Sequence, residues 1–385
     1  MKRYILLALI IIFGLGYYFK DTLLDYFIPD KQLINAKIDR LENKTSDIFS
    51  KIKETNKEQD ELPTNQTSYD FTTMPSSRTL QVGSHAFQTF NNCGPASLSM
   101  ALSYYDIKID QLTLGQDLRP YQNARGDNDD KSVTLQEMAS RAEKEGFIAL
   151  HRPNGNMDLL QKFIAIDIPV ITRTWLKENE DIGHFRVVKG YDKTRNILVQ
   201  DDSLQGKDLE YTEDEFDVIW KKFNYEYLVL IPASKESLAR EILGDNYEAA
   251  TAWRNAVEMA QTELELNPDD IYARFNKSVA LHNIGEYQKS VDEYEQVATR
   301  LSPRTLWYQI EPILSYYRIG EYDKVFEITN NILNNHNRAY SELYVVRGDI
   351  YYDQGDMIKA KEEYEKAVYY NKNLKLAQDA INKVK

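Results

Sequence analysis

The chain has 385 residues, more than one typical domain contains, so two or three domains are expected. Its formal net charge of −13, with no basic patch of interleaved aromatic residues, argues against nucleic acid as a partner and against electrostatic binding to anionic lipid. The single cysteine, Cys93, forbids an internal disulfide and fits no metal motif, so we predict neither a metal nor a cofactor.

Residues 1–20 have the pattern of a signal anchor. Met-Lys-Arg precedes a run of 16 apolar residues, and no small-x-small cleavage site or lipoprotein cysteine follows it. We therefore expect a transmembrane helix that is not cleaved; the alternative is a buried core helix. Because the positive charges precede the apolar run, the bulk of the chain is expected outside the cytoplasm.

Residues 21–80 are predicted to form a helical or coiled-coil stalk and then a flexible linker. Apolar residues recur at alternating spacings of 4 and 3 within 31–55, which is the heptad pattern of a coiled coil. A coiled coil here would make the protein oligomeric, whereas a single amphipathic helix would not. Residues 56–80 lack periodicity and are polar, which is typical of a tether.

A helix is predicted from about Cys93 to about Tyr105, where a polar, turn-prone run becomes apolar. Gly94 and Pro95 follow the cysteine, and proline is tolerated in the first helical turn. A thiol at a helix N-terminus lies beside free backbone N–H groups, which favour the thiolate and can hold an oxyanion. The side-chain amide of Gln88 offers a second donor. The alternative is that Cys93 is a small buried core residue.

Residues 81–234 are predicted to form an α+β domain with an antiparallel sheet. Thr134 and Glu137 form a capping-box pattern at the start of a helix. The predicted elements are helices over 134–147 and 157–167 and strands over 169–176, 183–192, 196–203 and 227–232.

Two of these strands bring a base and an acid together. His184 begins one strand and Asp201 ends the next, and antiparallel strands joined by a short turn place these positions side by side. An imidazole oriented by a carboxylate is what an activated cysteine requires.

The order Q-x4-C-G-P, G-H-F-x-V-V-x-G-Y-D and V-x-D over residues 80–232 resembles the papain-like cysteine peptidases of the bacteriocin-processing, double-glycine-leader type. The resemblance implies a papain-like fold in which Cys93 is the nucleophile, Gln88 the oxyanion donor, His184 the base and Asp201 the orienting acid. Where the family often has Asp-Pro, this chain has Asp201-Asp202, so Asp202 is the alternative orienting acid. The membrane and nucleotide-binding domains of the family's transporters do not follow here, so export of a leader peptide is not implied.

From residue 235 to residue 385 the chain repeats. Gly-Glu-Tyr, Gly-Glu-Tyr and Gly-Asp-Met recur at 285, 320 and 355, between helical stretches, at the 34-residue scale of tetratricopeptide repeats. Such helix pairs stack into an all-α solenoid whose groove presents side chains to protein partners. Tyrosines outside the repeat-defining positions can line that groove: Tyr308, Tyr316, Tyr340, Tyr344 and Tyr369.

The sequence therefore favours a membrane-anchored, extracytoplasmic cysteine peptidase-like hydrolase. Its substrate would be a peptide or protein, and the repeats would recruit that substrate or a protein partner. The alternative is a catalytically inactive papain-like module that acts as a protein-binding scaffold. An acyl-transfer or deamidating enzyme could use the same residues.

Overall fold

The structure, a computed structural model, describes residues 68–81, 83–121 and 132–385, which belong to one compact unit, Thr67–Lys385. The anchor helix expected over 1–20, the stalk over 31–55 and residues 56–67 of the tether lie outside the described residues. The rest of the predicted tether, 68–80, corrects that prediction, because it contains a 3-10 turn at Phe71–Thr73 and a strand at Ser77–Thr79 and packs against the sheet. Within the described ranges, none of the helices combines the length and apolar character that crossing a membrane requires.

Antiparallel strands form one sheet in the N-terminal half of the described chain. The strands are β1 (Ser77–Thr79), β2 (Ile148–Arg152), β3 (Val170–Lys177), β4 (Glu180–Asp192), β5 (Ile197–Asp202), β6 (Gly206–Thr212) and β7 (Tyr227–Ile231). Their order in the sheet is β2-β7-β3-β4-β5-β6, with β1 paired to the end of β4.

Helices cover both faces of this sheet. They are α1 (Cys93–Ser103), α2 (Gln111–Leu118), α3 (Leu135–Ala142), α4 (Met157–Ala165), α5 (Glu213–Trp220) and α6 (Glu236–Leu243). Because successive strand residues point to opposite faces, Val170 packs in one core with α4 and α5, and Ile171 packs in the other with α1 and α3. The first core also holds Leu238 and Leu243, so α6 extends it one helix beyond the predicted boundary at residue 234. We call residues 68–243 the sheet domain.

Most predicted elements of the sheet domain are confirmed. The helix at Cys93 begins at that residue, and the Thr134–Glu137 capping box is formed in both directions. The helix expected over 134–147 ends earlier, because a 3-10 turn over Glu143–Glu145 leads to Gly146 at a φ of +88°. The prediction missed the strands β1, β2 and β6 and the helices α2, α5 and α6.

In residues 244–385, which we call the repeat domain, the secondary-structure elements are helices. The helices are α7 (Ala249–Leu266), α8 (Ile271–Asn283), α9 (Tyr287–Glu295), α10 (Thr305–Tyr308), α11 (Glu311–Arg318), α12 (Tyr322–Asn335), α13 (Ser341–Asp353), α14 (Met357–Tyr370) and α15 (Lys375–Asn382). Gly285, Gly320 and Gly355 end the first helix of three successive pairs at φ values of 85°, 83° and 80°. This left-handed conformation favours glycine, which explains its recurrence.

The repeat domain contacts the sheet domain at points spread along its length. Asn276 of α8 donates to the carbonyl of Lys221 at 2.6 Å, and Asn371 after α14 donates to the carbonyl of Leu118 at 3.4 Å. Of the five tyrosines expected to line a groove, Tyr308 packs against the sheet domain, Tyr369 is exposed, and the other three are buried: Tyr316, Tyr340 and Tyr344. Part of the face expected to receive a partner is therefore occupied by the protein's own sheet domain.

Candidate active site

Cys93 is the first residue of α1 and is almost completely buried. The preceding residue, Asn92, is fixed by two side-chain hydrogen bonds: its Nδ2 donates to Thr89 Oγ1 at 2.8 Å, and its Oδ1 accepts from Arg119 Nη1 at 2.7 Å. A side chain at Gly94 would lie 2.2 Å from Cγ2 of Val133, so only glycine fits behind the cysteine. Local packing therefore sets where the thiol stands at the helix N-terminus.

Cys93 lies beside the imidazole of buried His184 on β4, and both residues line the same cavity. Burial raises the pKa of Cys93, but the neighbouring imidazole and positive charge of His184, with a smaller contribution from Arg119, bring that pKa below its ordinary value. Burial lowers the pKa of His184, yet the hydrogen bond to Asp202 and the proximity of Cys93 raise the pKa overall. Both shifts favour a thiolate–imidazolium pair, the reactive form of a cysteine nucleophile.

Asp202, the last residue of β5, holds the other side of the imidazole. Its Oδ1 is 2.9 Å from His184 Nε2 and also accepts from the backbone N–H groups of Leu204 and Gln205. Its Oδ2 accepts from Arg186, which is fully buried. Burial raises the pKa of Asp202, but the His184 hydrogen bond and charge and the Arg186 charge together lower it to about 2. The carboxylate is therefore ionised and fixed.

The structure corrects the preference for Asp201. Asp201 pairs with Lys189 at 2.7 Å and accepts from the backbone N–H of Asp208; it does not contact His184. The reason is a bulge at Lys189. A regular register continued from Asp192↔Ile197 would put Asp201 on the face of His184, but the inserted residue pairs Arg186 with Asp202 instead.

Gln88 lines the same cavity as Cys93 and His184. Its backbone N–H donates to the carbonyl of Ser203 at 2.8 Å, and its Oε1 accepts from the Ser203 hydroxyl at 2.8 Å. With Oε1 engaged in this way, the amide nitrogen is the group left to donate. The neighbouring backbone is held by Gln111, whose side chain donates to the carbonyl of Phe87 and accepts from the N–H of Thr89.

A cavity of about 310 Å³ opens on this arrangement. Cys93, His184 and Gln88 line it, and its rim includes three exposed apolar side chains, Phe90 (53% exposed), Ile182 (39%) and Leu204 (51%). Three of the four residues predicted from the sequence thus meet at one cavity, and Asp202 replaces the fourth. Among the described residues, no group of three or more His, Cys, Asp or Glu side chains is placed to hold a metal ion.

Sequence reasoning missed Arg186, Asn92 and Arg119. Arg186 lies two residues after His184 and so shares its strand face, a signal that alternation along β4 could have provided. It binds the Asp202 carboxylate, Thr174 Oγ1 at 3.1 Å and the carbonyl of Leu176 at 2.6 Å. Nothing local in the sequence indicates the long-range pair of Asn92 and Arg119.

Two family models match the chain. The Peptidase_C39-like family matches residues 79–228, and the tetratricopeptide repeat matches residues 341–374. A search of curated proteins found no match.

Among solved structures, a protein described as a C39-like peptidase from Bacillus anthracis is 18% identical and covers 41% of this chain and 100% of its own, with a TM-score of 0.32. The peptidase domain of Streptococcus ComA, a bifunctional ABC transporter, is 21% identical, with coverages of 38% and 96% and a TM-score of 0.30. A double-glycine-motif protease from an AMS/PCAT transporter, solved with its leader peptide, is 20% identical, with coverages of 40% and 91% and a TM-score of 0.29. Residues 79–228 are therefore similar to the Peptidase_C39-like family, and residues 341–374 are similar to a tetratricopeptide repeat.

Proposed function

We propose that the protein is an active thiol hydrolase that cleaves a peptide bond, with Cys93 as nucleophile, His184 as base and acid, and Asp202 as the residue that orients His184. The observation that carries this proposal is that Cys93 and His184 lie side by side in an open cavity while Asp202 is hydrogen-bonded to the other side of the imidazole. A C39-like domain serving only as a binding scaffold would not need the buried, ionised Asp202 behind the imidazole.

The reaction follows from these groups. The Cys93 thiolate attacks the carbonyl carbon of the scissile bond, and the electron pair moves to the oxygen. The His184 imidazolium gives its proton to the leaving amine as the tetrahedral intermediate collapses to a thioester. His184 then takes a proton from water, whose oxygen attacks the thioester; expulsion of the Cys93 thiolate releases the carboxylic acid and restores the ion pair.

Gln88 and the backbone N–H groups at the start of α1 are proposed to hold the oxygen that becomes negative in each intermediate. Donors that are fixed before the reaction stabilise such an oxyanion without reorganisation. The Ser203 contacts support this role for Gln88, because they hold both its backbone and its side-chain oxygen.

The rim of the cavity supports a substrate with apolar side chains close to the scissile bond. Phe90, Ile182 and Leu204 are exposed beside Cys93, and contiguous exposed apolar groups mark binding sites. A peptide that covers them would gain burial that a uniformly polar peptide lacks.

Anchoring belongs to the same proposal and rests on the sequence of residues 1–20. The full chain should sediment with membranes and should be cut by protease added to intact cells, whereas a chain lacking residues 1–20 should remain in the supernatant. Equal sedimentation of both chains would refute the anchor. The repeats are proposed to bring a protein substrate or partner to the cleft through surfaces that are not packed against the sheet domain.

Cys93 reactivity tests the catalytic proposal directly, because the chain has one thiol. Alkylation of the full chain with iodoacetamide should proceed well below the pH at which an ordinary thiol ionises, and His184→Ala should move the profile upward. Hydrolysis of a quenched-fluorescence peptide library should vanish in Cys93→Ala with the fold unchanged. An ordinary thiol profile, or hydrolysis that survives Cys93→Ala, would refute the proposal.

A further inference from the structure

A tyrosine of the repeat domain lies against the strand residue that precedes His184. Tyr308 ends helix α10, and its ring packs on Gly183 so closely that a Cβ there would lie 2.9 Å from Cε1 and 3.0 Å from Cδ1. Burial raises the pKa of the Tyr308 phenol overall, although the Gly183 backbone lowers that pKa in part. The ring therefore contacts β4 within one residue of the imidazole, although 124 positions separate Tyr308 from His184.

The segment that carries Tyr308 is itself fixed to the sheet domain. Arg304 pairs with Asp181 at 2.6 Å, two residues before Gly183 on the same strand. Arg173 of β3 donates from Nη2 to the carbonyl of Tyr308 at 2.9 Å. These bonds fix both ends of α10. The position of the Tyr308 ring is therefore set by the Tyr308 backbone as well as by the contact of the ring with Gly183.

Support for β4 ends close to His184. Gly183 and His184 still pair with Trp175 and Thr174 of β3, but the pairing becomes irregular beyond Trp175, and Ile182 and Gly183 line the open cavity. A catalytic imidazole must stand within a fraction of an ångström of its working position, and that precision requires support behind it. Tyr308 packs against the backbone at this place.

We infer that Tyr308 is a positioning residue of the Cys93–His184 pair, so that the repeat domain completes the active site in addition to any role in recruitment. The inference rests on the proposed function, but its main readout, the reactivity of Cys93, needs no substrate.

The test is the pH profile of Cys93 alkylation by iodoacetamide in the full chain. Tyr308→Ala removes the ring and should lower the rate at pH 6.5 by about tenfold and move the midpoint of the profile upward, because a misplaced imidazole stabilises the thiolate less. Tyr308→Phe keeps the ring contact and loses the hydroxyl, so it should show a smaller change in the same direction.

Tyr316→Phe is the matched control. It removes a part-buried phenol hydrogen bond, to Glu295 at 2.9 Å, whose two partners both belong to the repeat domain. It should leave the profile unchanged. Circular dichroism and thermal unfolding of each variant separate loss of fold from loss of position, and Tyr308→Phe keeps the test valid if Tyr308→Ala does not fold.

The two proposals fail differently. If wild-type Cys93 is activated and both Tyr308 variants alkylate with the wild-type profile, Tyr308 positions nothing and only this inference is wrong. If wild-type Cys93 behaves as an ordinary thiol, the proposed function is wrong, and this inference, which rests on it, is wrong as well. An equal shift in Tyr316→Phe would show a general effect of the repeat domain and would also overturn the role assigned to Tyr308.

Discussion

Nε2 of His184 lies 2.9 Å from Oδ1 of Asp202, on the strand that follows in the sequence. The neighbouring carboxylate of Asp201 is equally buried, yet it bonds to Lys189 and Asp208. A single bulge in β4 decides which of the two acids faces the imidazole. The pair therefore offers two isosteric substitutions, one residue apart, of which only one should affect the thiol.

Asp202→Asn should move the alkylation profile of Cys93 upward by about one pH unit, since a neutral amide no longer supports the imidazolium by charge. Asp201→Asn removes the same charge one residue away and should leave the profile in place. Lys189, which pairs with Asp201 in the wild type, would still pair with Asp208, whose carboxylate lies 2.6 Å away. The measurement is the rate of carboxamidomethylation against pH for both variants and the wild type. A shift of equal size in both variants would contradict the assignment of Asp202.

Removal of Arg186 tests how the Asp202 carboxylate is held. Arg186→Met leaves a buried carboxylate without its guanidinium partner, and breaking a buried ion pair from one side costs about 3–5 kcal/mol. The Arg186→Met/Asp202→Asn double variant should lose less than the sum of the single losses, since no charge is left unpaired. Urea unfolding of the four proteins measures the coupling free energy. Strictly additive losses would show that the two side chains do not act as a pair.

The sequence was sufficient where a role depends on local pattern. Cys93 could be placed at a helix N-terminus because a polar run, the cysteine, a glycine and a proline follow one another. His184 could be placed on a strand because GHFRVVKGYD continues as an apolar run. The repeat glycines were predictable as well, since their 35-residue spacing reflects a left-handed turn at each helix end.

The sequence was insufficient where register or long-range contact decides. A bulge at Lys189 has no signature in the letters VVKGY, yet it exchanges the faces of Asp201 and Asp202. The contact of Tyr308 with Gly183 depends on how the repeat domain packs against the sheet domain, which repeat spacing does not encode. From the sequence, tyrosines that line a groove for a partner could not be distinguished from tyrosines that pack against the protein's own sheet domain.

The close packing behind Cys93 predicts a loss of stability in Gly94→Ala. The new methyl group would meet Val133 Cγ2 at 2.2 Å in a buried site, and overpacking of this kind costs about 1–3 kcal/mol. Gly94→Ala/Val133→Ala should be more stable than Gly94→Ala alone, because the second change removes the clashing carbon atom. Urea unfolding provides the comparison. A Gly94→Ala protein as stable as wild type would show that the helix shifts freely at the cysteine.

Glu311 predicts a pH-dependent stability in the repeat domain near the sheet domain. It begins α11, and its buried Oε2 has no hydrogen-bond partner among the described residues. Burial and the charge of Glu226, opposed in part by Arg173, raise the pKa of Glu311 from 4.5 to about 7. Because the folded state holds this proton more tightly than the unfolded state, the free energy of unfolding should fall as pH rises from about 4.5 to about 7.

Glu311→Gln removes the charge that causes this loss. The free energy of unfolding of this variant should equal that of the wild type at pH 4.5. At pH 8 it should be higher than that of the wild type by on the order of 2 kcal/mol, because only the wild type then carries the buried carboxylate. Glu321→Gln, at an exposed position before α12, is the control and should change neither value. Urea titrations at the two pH values give the four differences. If Glu311→Gln and wild type lose stability in parallel between pH 4.5 and pH 8, the carboxyl group is already ionised in the folded protein and the penalty assigned to its burial is absent.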